Sequence, residues 1–302
     1  NASGKRVYIA FGSKALGDTL AWFPYALEFK KKHNCHVIVS TFWNKFFKEK
    51  YPELEFVSPG TTVPNLYAMY EIGWYYDDND QLDRFKQPYD PKQYTLQQTA
   101  TNILGLEYKE IIPKVNYQIK DRPFKEKYIC ISPHASASAK YWHHPTGWQT
   151  IINYINNVLG YKVVMISKEK YNDNWETDKL PLQKKFTNII DATGDHPIED
   201  IINMLHHSEM YIGVSSGLAW LSWSIKNPVV LISGFSSDWT EFTSNVERII
   251  NKNVCNSCFN NFKLDAGDWN WCPVHKDTSR QFECTKKILP KTVIEGITRR
   301  LS

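Results

Sequence analysis

The feature that most limits what this chain can fold into is an alternation that runs, stops and starts again. Short apolar, β-prone runs at residues 7–11, 35–41 and 54–57 are separated by helical spacing over 18–32 and 43–50, and a further helix fits 94–104. Residues 67–76 fit a strand, alone or followed by a broken helix. A polar stretch at 120–127 then interrupts the pattern. Beyond it, strands are predicted at 128–133, 161–166, 188–191, 210–214 and 229–233, with helices over 145–159, 198–207, 217–225 and 291–301. Strands and helices alternating at this spacing make βαβ units, and βαβ units make parallel sheets. Because each half opens on its own buried strand, the expectation is an α/β protein of two doubly wound domains facing a cleft, residues 1–122 and 123–302. In open sheets of this kind ligands bind beyond the carboxyl ends of the strands. The loops that follow the strands are therefore the places to look for function.

Composition narrows the class further. A chain of 302 residues suits about two domains. With 42% apolar and 23% charged residues it is neither disordered, collagen-like nor coiled coil. No apolar run reaches the ~18 residues of a membrane-spanning helix, and no segment reads as a secretion signal; a cytoplasmic protein is expected. Because the first residue is Asn1 and not Met, a processed or truncated start is expected. A net charge of only +4 argues against a nucleic-acid partner. Aromatic residues, at 14%, suit recognition surfaces as well as cores.

Three loops carry candidate chemistry. Asp18, after the first strand and at the start of a helix, reads either as a helix cap or as a carboxylate at the mouth of the cleft, kept ionised by the helix dipole and placed to take a proton. Ser215, Ser216 and Gly217 follow an apolar strand and open a helix. Free backbone N–H groups and small hydroxyls there suit a phosphate, although a serine-capped turn has the same appearance. Lys140, in the loop after the strand at 128–133, could neutralise a diphosphate. Neither G-x-G-x-x-G nor G-x-x-x-x-G-K-[ST] occurs, which disfavours dinucleotide redox chemistry and P-loop hydrolysis.

Four of the six cysteines crowd into residues 253–286 with the spacing C-x2-C-x13-C-x11-C: Cys255, Cys258, Cys272 and Cys284. A segment this irregular buries no core of its own. Four thiolates at such spacing close a tetrahedral site, and zinc or a single iron would fit equally. Trp269, Trp271 and Phe282 interleave the cysteines. Cys35 and Cys130 stand alone in strand-like runs and read as small core residues.

Taken together, Gly17-Asp-Thr-Leu-Ala-Trp-Phe-Pro-Tyr25, Ser136-Ala-Ser-Ala-Lys-Tyr-Trp142, Gly213-Val-Ser-Ser-Gly-Leu-Ala-Trp220 and the segment from Cys255 through Trp271-Cys-Pro-Val-His275 to Cys284 resemble the bacterial autotransporter heptosyltransferases. These are protein O-glycosyltransferases related to the lipopolysaccharide heptosyltransferases. The likeness covers nearly the whole chain, and its most specific part is the cysteine segment. The resemblance implies a GT-B fold of two Rossmann-like domains with a four-cysteine metal-binding finger inserted at 253–286. It implies an ADP-heptose donor, an autotransporter passenger domain whose serines accept the sugar, and inversion at the anomeric carbon. It assigns the catalytic base to Asp18, the diphosphate contact to Lys140, the phosphate turn to Ser215, Ser216 and Gly217, and one Fe(III) to Cys255, Cys258, Cys272 and Cys284, zinc being the alternative. Trp142 and Trp239 are candidates to stack on the adenine. Family members are usually longer, with an extra N-terminal domain, and form large assemblies with the acceptor; for this chain a homo-oligomer is one expected partner state. Two rival readings are a lipopolysaccharide-core heptosyltransferase and a non-catalytic zinc-ribbon module.

Overall fold

The computed structural model describes residues 1–79, 81–170, 186–261 and 272–302. Trp269 and Trp271 lie outside the described residues. The chain divides into two compact units, Asn1–Tyr117 with Trp239–Phe242, and Gln118–Asp238 with Thr243–Ser302. The division falls after Tyr117 rather than residue 122, and a short later segment belongs to the first unit. Its anchor is the Leu96 N–H, which donates to the Thr240 carbonyl at 2.7 Å.

The first unit is built from β1 (Arg6–Phe11), α1 (Leu16–Trp22), α2 (Pro24–His33), β2 (His36–Ser40), α3 (Asn44–Phe47), β3 (Glu55–Val57), β4 (Ala68–Ile72) and α4 (Leu96–Leu104). Its four strands are all parallel, in the order β3-β2-β1-β4. The single helix expected over 18–32 is two helices. Pro24 has no N–H to continue α1, so it takes the first position of α2 instead, where that N–H is not needed. Asn34, at φ 47°, ends α2 in the left-handed conformation typical of a helix stop. Phe23, at the break, stacks on Phe47 with ring centres 3.8 Å apart and fills the space under the sheet. The stretch at 67–76 contains β4 alone, an outer strand with alternating exposure.

The second unit contains β5 (Tyr128–Ser132), α5 (Gly147–Asn157), β6 (Lys162–Ser167), β7 (Ile190–Thr193), α6 (Ile198–His207), β8 (Tyr211–Val214), α7 (Gly217–Ser224), β9 (Val229–Ile232), β10 (Val246–Ile249), α8 (Glu283–Lys286) and α9 (Pro290–Leu301). Six parallel strands run β10-β9-β8-β5-β6-β7. Counted from β5 this is the 3-2-1-4-5-6 order of a doubly wound sheet, and the first unit repeats its 3-2-1-4 part. β5, β8 and β9 are buried along their whole length, as expected of strands covered on both faces. Ile129, Ile131, Ile151, Ile155, Val163 and Ile212 form one core; truncating any of the isoleucines to alanine would cost ~2–5 kcal/mol. β10 was not expected. Its sequence, Val-Glu-Arg-Ile, places two charged residues in a half-buried outer strand and hides the apolar pattern.

The doubly wound order puts a topological switch point between β1 and β4 in the first unit and between β5 and β8 in the second. At such a point neighbouring strands send their connections to opposite faces, which leaves a crevice at the carboxyl ends.

Candidate active site

At the first unit's switch point, residues 12–15 lead from β1 into α1. Ala15 occupies the helix cap position with extended backbone and makes no side-chain cap. Asp18 lies in the first turn of α1 beyond the cap, so capping is not its role. Its carboxylate is half-buried and receives two donors on one oxygen. The Ser13 hydroxyl donates to Oδ2 at 2.7 Å and the Trp74 Nε1–H donates to the same oxygen at 3.4 Å. Ser13 is itself fixed, its Oγ accepting the Ala15 N–H at 3.1 Å. Trp74 follows β4, across the switch point from β1, and its ring tilts against Trp22 at 6.0 Å. Donors to a carboxylate favour its ionised form, which is the form that accepts a proton. Ser13 and Trp74 escaped the sequence reading. Nothing in their local pattern marks them; the strand order brings them to Asp18.

At the second unit's switch point, two loops leave from adjacent strands, since Ser132 at the end of β5 pairs with Gly213 of β8. The loop after β5 contains a single 3-10 turn, Ser138–Lys140, which places half-buried Lys140 at its end. The loop after β8 is Ser215 and Ser216 leading into Gly217, the first residue of α7. Ser216 holds the cap position but its side chain does not cap the helix. Its Oγ lies 3.4 Å from the Tyr211 hydroxyl instead. Tyr211 reaches there only because residue 213 is glycine; a Cβ on Gly213 would lie 2.3 Å from that hydroxyl. Lys140, Ser215, Ser216 and Gly217 therefore stand on neighbouring loops of one unit, with cationic, hydroxyl and N–H groups suited to an anion. His134 and Glu169, at the ends of β5 and β6, form a further polar pair with Nδ1 and Oε2 3.0 Å apart. Burial pulls the His134 pKa down against the pull of Glu169.

Trp142 is not available to stack on a ligand. It is 1% exposed, donates from Nε1 to the Ile288 carbonyl at 3.0 Å, and packs edge-on against Trp148. A Cβ on Gly147 would strike its ring at 2.6 Å, which shows how closely it is enclosed. Trp239 belongs with the first unit rather than with the loops that carry Lys140 and Ser215.

The four clustered cysteines come together. Cys258, Cys272 and Cys284 are buried and Cys255 is half-buried, and all six cysteines of the chain are free of disulfides. Burial, with Cys255 and Cys272 beside it, pushes the Cys258 thiol up to about 12, and burial with Cys258, Cys272 and Cys255 does the same to Cys284. Cys258 and Cys284, buried beside two further sulfurs that oppose their ionisation, belong to a donor set that a cation relieves, so these residues fit a metal. The His275 N–H donates to Cys272 Sγ at 3.3 Å, a bond that stabilises a thiolate. Cys255, His275 and Glu283 also bring ligand atoms within 4.8 Å of one another. Glu283 is already engaged there: its Oε1 accepts the Cys255 N–H at 3.3 Å and the Arg280 guanidinium at 2.5 Å.

Residues 83–264 match the family model of glycosyltransferase family 9, the heptosyltransferases. The autotransporter heptosyltransferase Aah of Escherichia coli is 36% identical over 98% of this chain and 74% of its own length. The inactive autotransporter heptosyltransferase BimC of Burkholderia thailandensis is 31% identical over 95% of this chain and 67% of its own. Among solved structures, the iron-containing dodecameric glycosyltransferase TibC from enterotoxigenic E. coli superposes with a TM-score of 0.88 at 32% identity, covering 99% of this chain and 77% of TibC. A second TibC structure contains ADP-D-β-D-heptose. The fold, the two switch points and these likenesses together define a glycosyltransferase: the chain belongs to glycosyltransferase family 9. Within that family it is similar to the autotransporter heptosyltransferases.

Proposed function

We propose that this protein is an inverting protein O-glycosyltransferase that moves heptose from ADP-heptose to serine side chains of an autotransporter adhesin. The observation that carries the reading is the division of charge between the two switch points. One holds a carboxylate between two donors; the other holds a lysine beside a serine-rich helix start. Asp18 takes the proton from the acceptor hydroxyl as its oxygen attacks the anomeric carbon. The bond from that carbon to the phosphate oxygen breaks, and ADP leaves with the electron pair. Lys140, the hydroxyls of Ser215 and Ser216 and the N–H groups opening α7 at Gly217 meet the charge that grows on the departing diphosphate. Attack on the face opposite the leaving group inverts the centre.

The cysteine set, as one structural finger within 253–286, would hold one Fe(III), as TibC's description as iron-containing favours, with zinc the other candidate. With four thiolates as ligands, the metal would be structural and leave no position open to substrate. Iron would show a thiolate charge-transfer band that zinc lacks, and elemental analysis should find about one metal per chain. Among the described residues no helix is long and apolar enough to cross a membrane. Six cysteines without disulfides favour a reducing compartment, which supports a cytoplasmic reaction. TibC's dodecamer favours a homo-oligomer.

The deciding experiment incubates the protein with ADP-heptose and a purified passenger domain and reads heptose on serine by mass spectrometry. A lipopolysaccharide-core acceptor serves as the competing substrate. Because a relative of similar identity is named inactive, turnover is the quantity to measure. Transfer to the lipid acceptor alone, or to neither, overturns the reading. Calorimetry with ADP tests the donor side: Lys140→Ala should weaken binding by roughly 10–100-fold, the usual worth of a hydrogen bond to a charged group.

A further inference from the structure

The cysteine segment touches the loop that carries Lys140 on both of its shoulders. Ala139, the residue before the lysine, is 2% exposed and packs in one cluster with Phe235, Cys258, Cys272 and Phe282. Beyond the lysine, the His143 ring lies flat on Phe282, centres 4.2 Å apart and planes 13° from parallel. The His143 N–H donates to Thr285 Oγ1 at 3.3 Å. Its Nε2 lies 2.8 Å from the Ser138 carbonyl, which ties the loop across the position of Lys140. On the other side, the Ser257 and Phe259 N–H groups donate to the Gly234 and Phe235 carbonyls at 2.8 and 2.9 Å, joining the segment to the chain just after β9. The fit there is close, for a Cβ on Gly234 would meet the Thr285 methyl at 2.7 Å. Phe282 adopts φ 56°, a conformation that bulky residues avoid and keep only when their surroundings impose it.

We propose that the cysteine segment is the splint of the diphosphate loop, with Phe282 and His143 as positioning residues that set donor affinity by holding Lys140 in place before the donor arrives. A loop ordered beforehand does not have to be ordered by its ligand, so its ordering cost is removed from binding. The metal is then connected to donor binding through packing: cysteines to Phe282, Phe282 to His143, His143 to the backbone that carries Lys140. The inference rests on the reading of Lys140 as the diphosphate contact.

The test measures ADP binding by calorimetry on the full protein, with metal content determined on each sample. Phe282→Ala and His143→Leu should each weaken ADP about tenfold with the metal content of the wild type, since neither residue is a ligand. Phe282→Tyr, which keeps the ring, should restore affinity. Wild type stripped by chelator should lose ADP affinity and regain it when the metal returns. If Phe282→Ala fails to fold, His143→Leu carries the test from outside the cysteine segment. If Lys140→Ala weakens ADP while His143→Leu and Phe282→Ala leave it unchanged at full metal content, the splint is wrong and the donor reading stands. If Lys140→Ala has no effect on ADP binding, the donor reading falls and the splint falls with it.

Discussion

The two units of this protein share a strand order and differ in what they place at its switch point. In the first, the loops after β1 and β4 supply an acid and two neutral donors: Asp18 in the first turn of α1, with Ser13 and Trp74 on its Oδ2. In the second, the loops after β5 and β8 supply a cation and an array of donors: Lys140, Ser215, Ser216 and the N–H groups opening α7. The sheet determines where a ligand can be met, and the loop residues determine the sign of what is met. Supports differ too. Asp18 is held by two side chains of its own unit's loops, whereas the Lys140 loop leans on a cysteine segment that follows it by more than a hundred residues.

The sharpest way to break this comparison is to remove the acid. Asp18→Asn keeps size and hydrogen bonding but cannot take a proton. Turnover should fall by about 10²–10⁴, the usual range for a general base, while ADP affinity stays at the wild-type value because donor contacts are assigned to the other unit. Initial rates of heptose transfer and ADP calorimetry together read this. A variant that loses ADP affinity along with turnover would show that the division of labour between the units is wrong.

A smaller effect concerns a group in the second unit. Burial lowers the His143 pKa to about 4 in the folded protein, against about 6.5 in an unfolded chain. The folded state therefore binds fewer protons between those values, and stability contributed by His143 is present above about pH 6.5 and lost as pH falls towards 4. The ring keeps partial solvent access, so about 1–2 kcal/mol is expected across this window. Denaturant midpoints measured from pH 7 to pH 4 should fall, and His143→Gln should flatten the slope. An equal slope in the variant would assign the acid sensitivity elsewhere, to the cysteine cluster first.

Most of the frame was legible in the sequence because parallel strands buried on both faces read as unbroken apolar runs. β1, β2, β5, β6, β8 and β9 all did so, and Ile198–His207 was legible as a helix from its spacing. The outer strands read less evenly: β3 and β7 fall at the strands expected over 54–57 and 188–191, β4 lies within the stretch 67–76, and β10 has no counterpart in the sequence pattern. β4 alternates in exposure and β10 carries Glu247 and Arg248, so neither shows a continuous apolar run. The break at Pro24 had a local signal that the continuous helical spacing outweighed. The positions of Asp18, Lys140 and the turn at Ser215 after strands were legible, and they follow β1, β5 and β8. Their partners were not, because Trp74 meets Asp18, and Phe282 meets His143, through topology rather than through nearby sequence. Trp142 misleads for a related reason. An aromatic in a functional loop suggests stacking on a ligand, and only the fold shows Gly147 and Trp148 closing over it.

The smallest expected effect refines the comparison most, because it asks whether the first unit tunes its acid or only carries it. Ser13→Ala removes the donor at 2.7 Å, and Trp74→Phe removes the one at 3.4 Å while keeping an aromatic ring against Trp22. A hydrogen bond to a charged group is worth roughly 1.5–3 kcal/mol at good geometry, and the longer bond falls below that range. Turnover should therefore drop about tenfold for Ser13→Ala and about two- to threefold for Trp74→Phe, with ADP affinity unchanged in both. Ser13→Thr, which keeps the hydroxyl, should recover most of the loss. The decisive version is a double-mutant cycle. Two residues that act through one carboxylate are not additive, so Ser13→Ala should cost little further turnover once Asp18 is asparagine. If the two losses instead multiply, Ser13 acts on the reaction by a route that does not pass through Asp18.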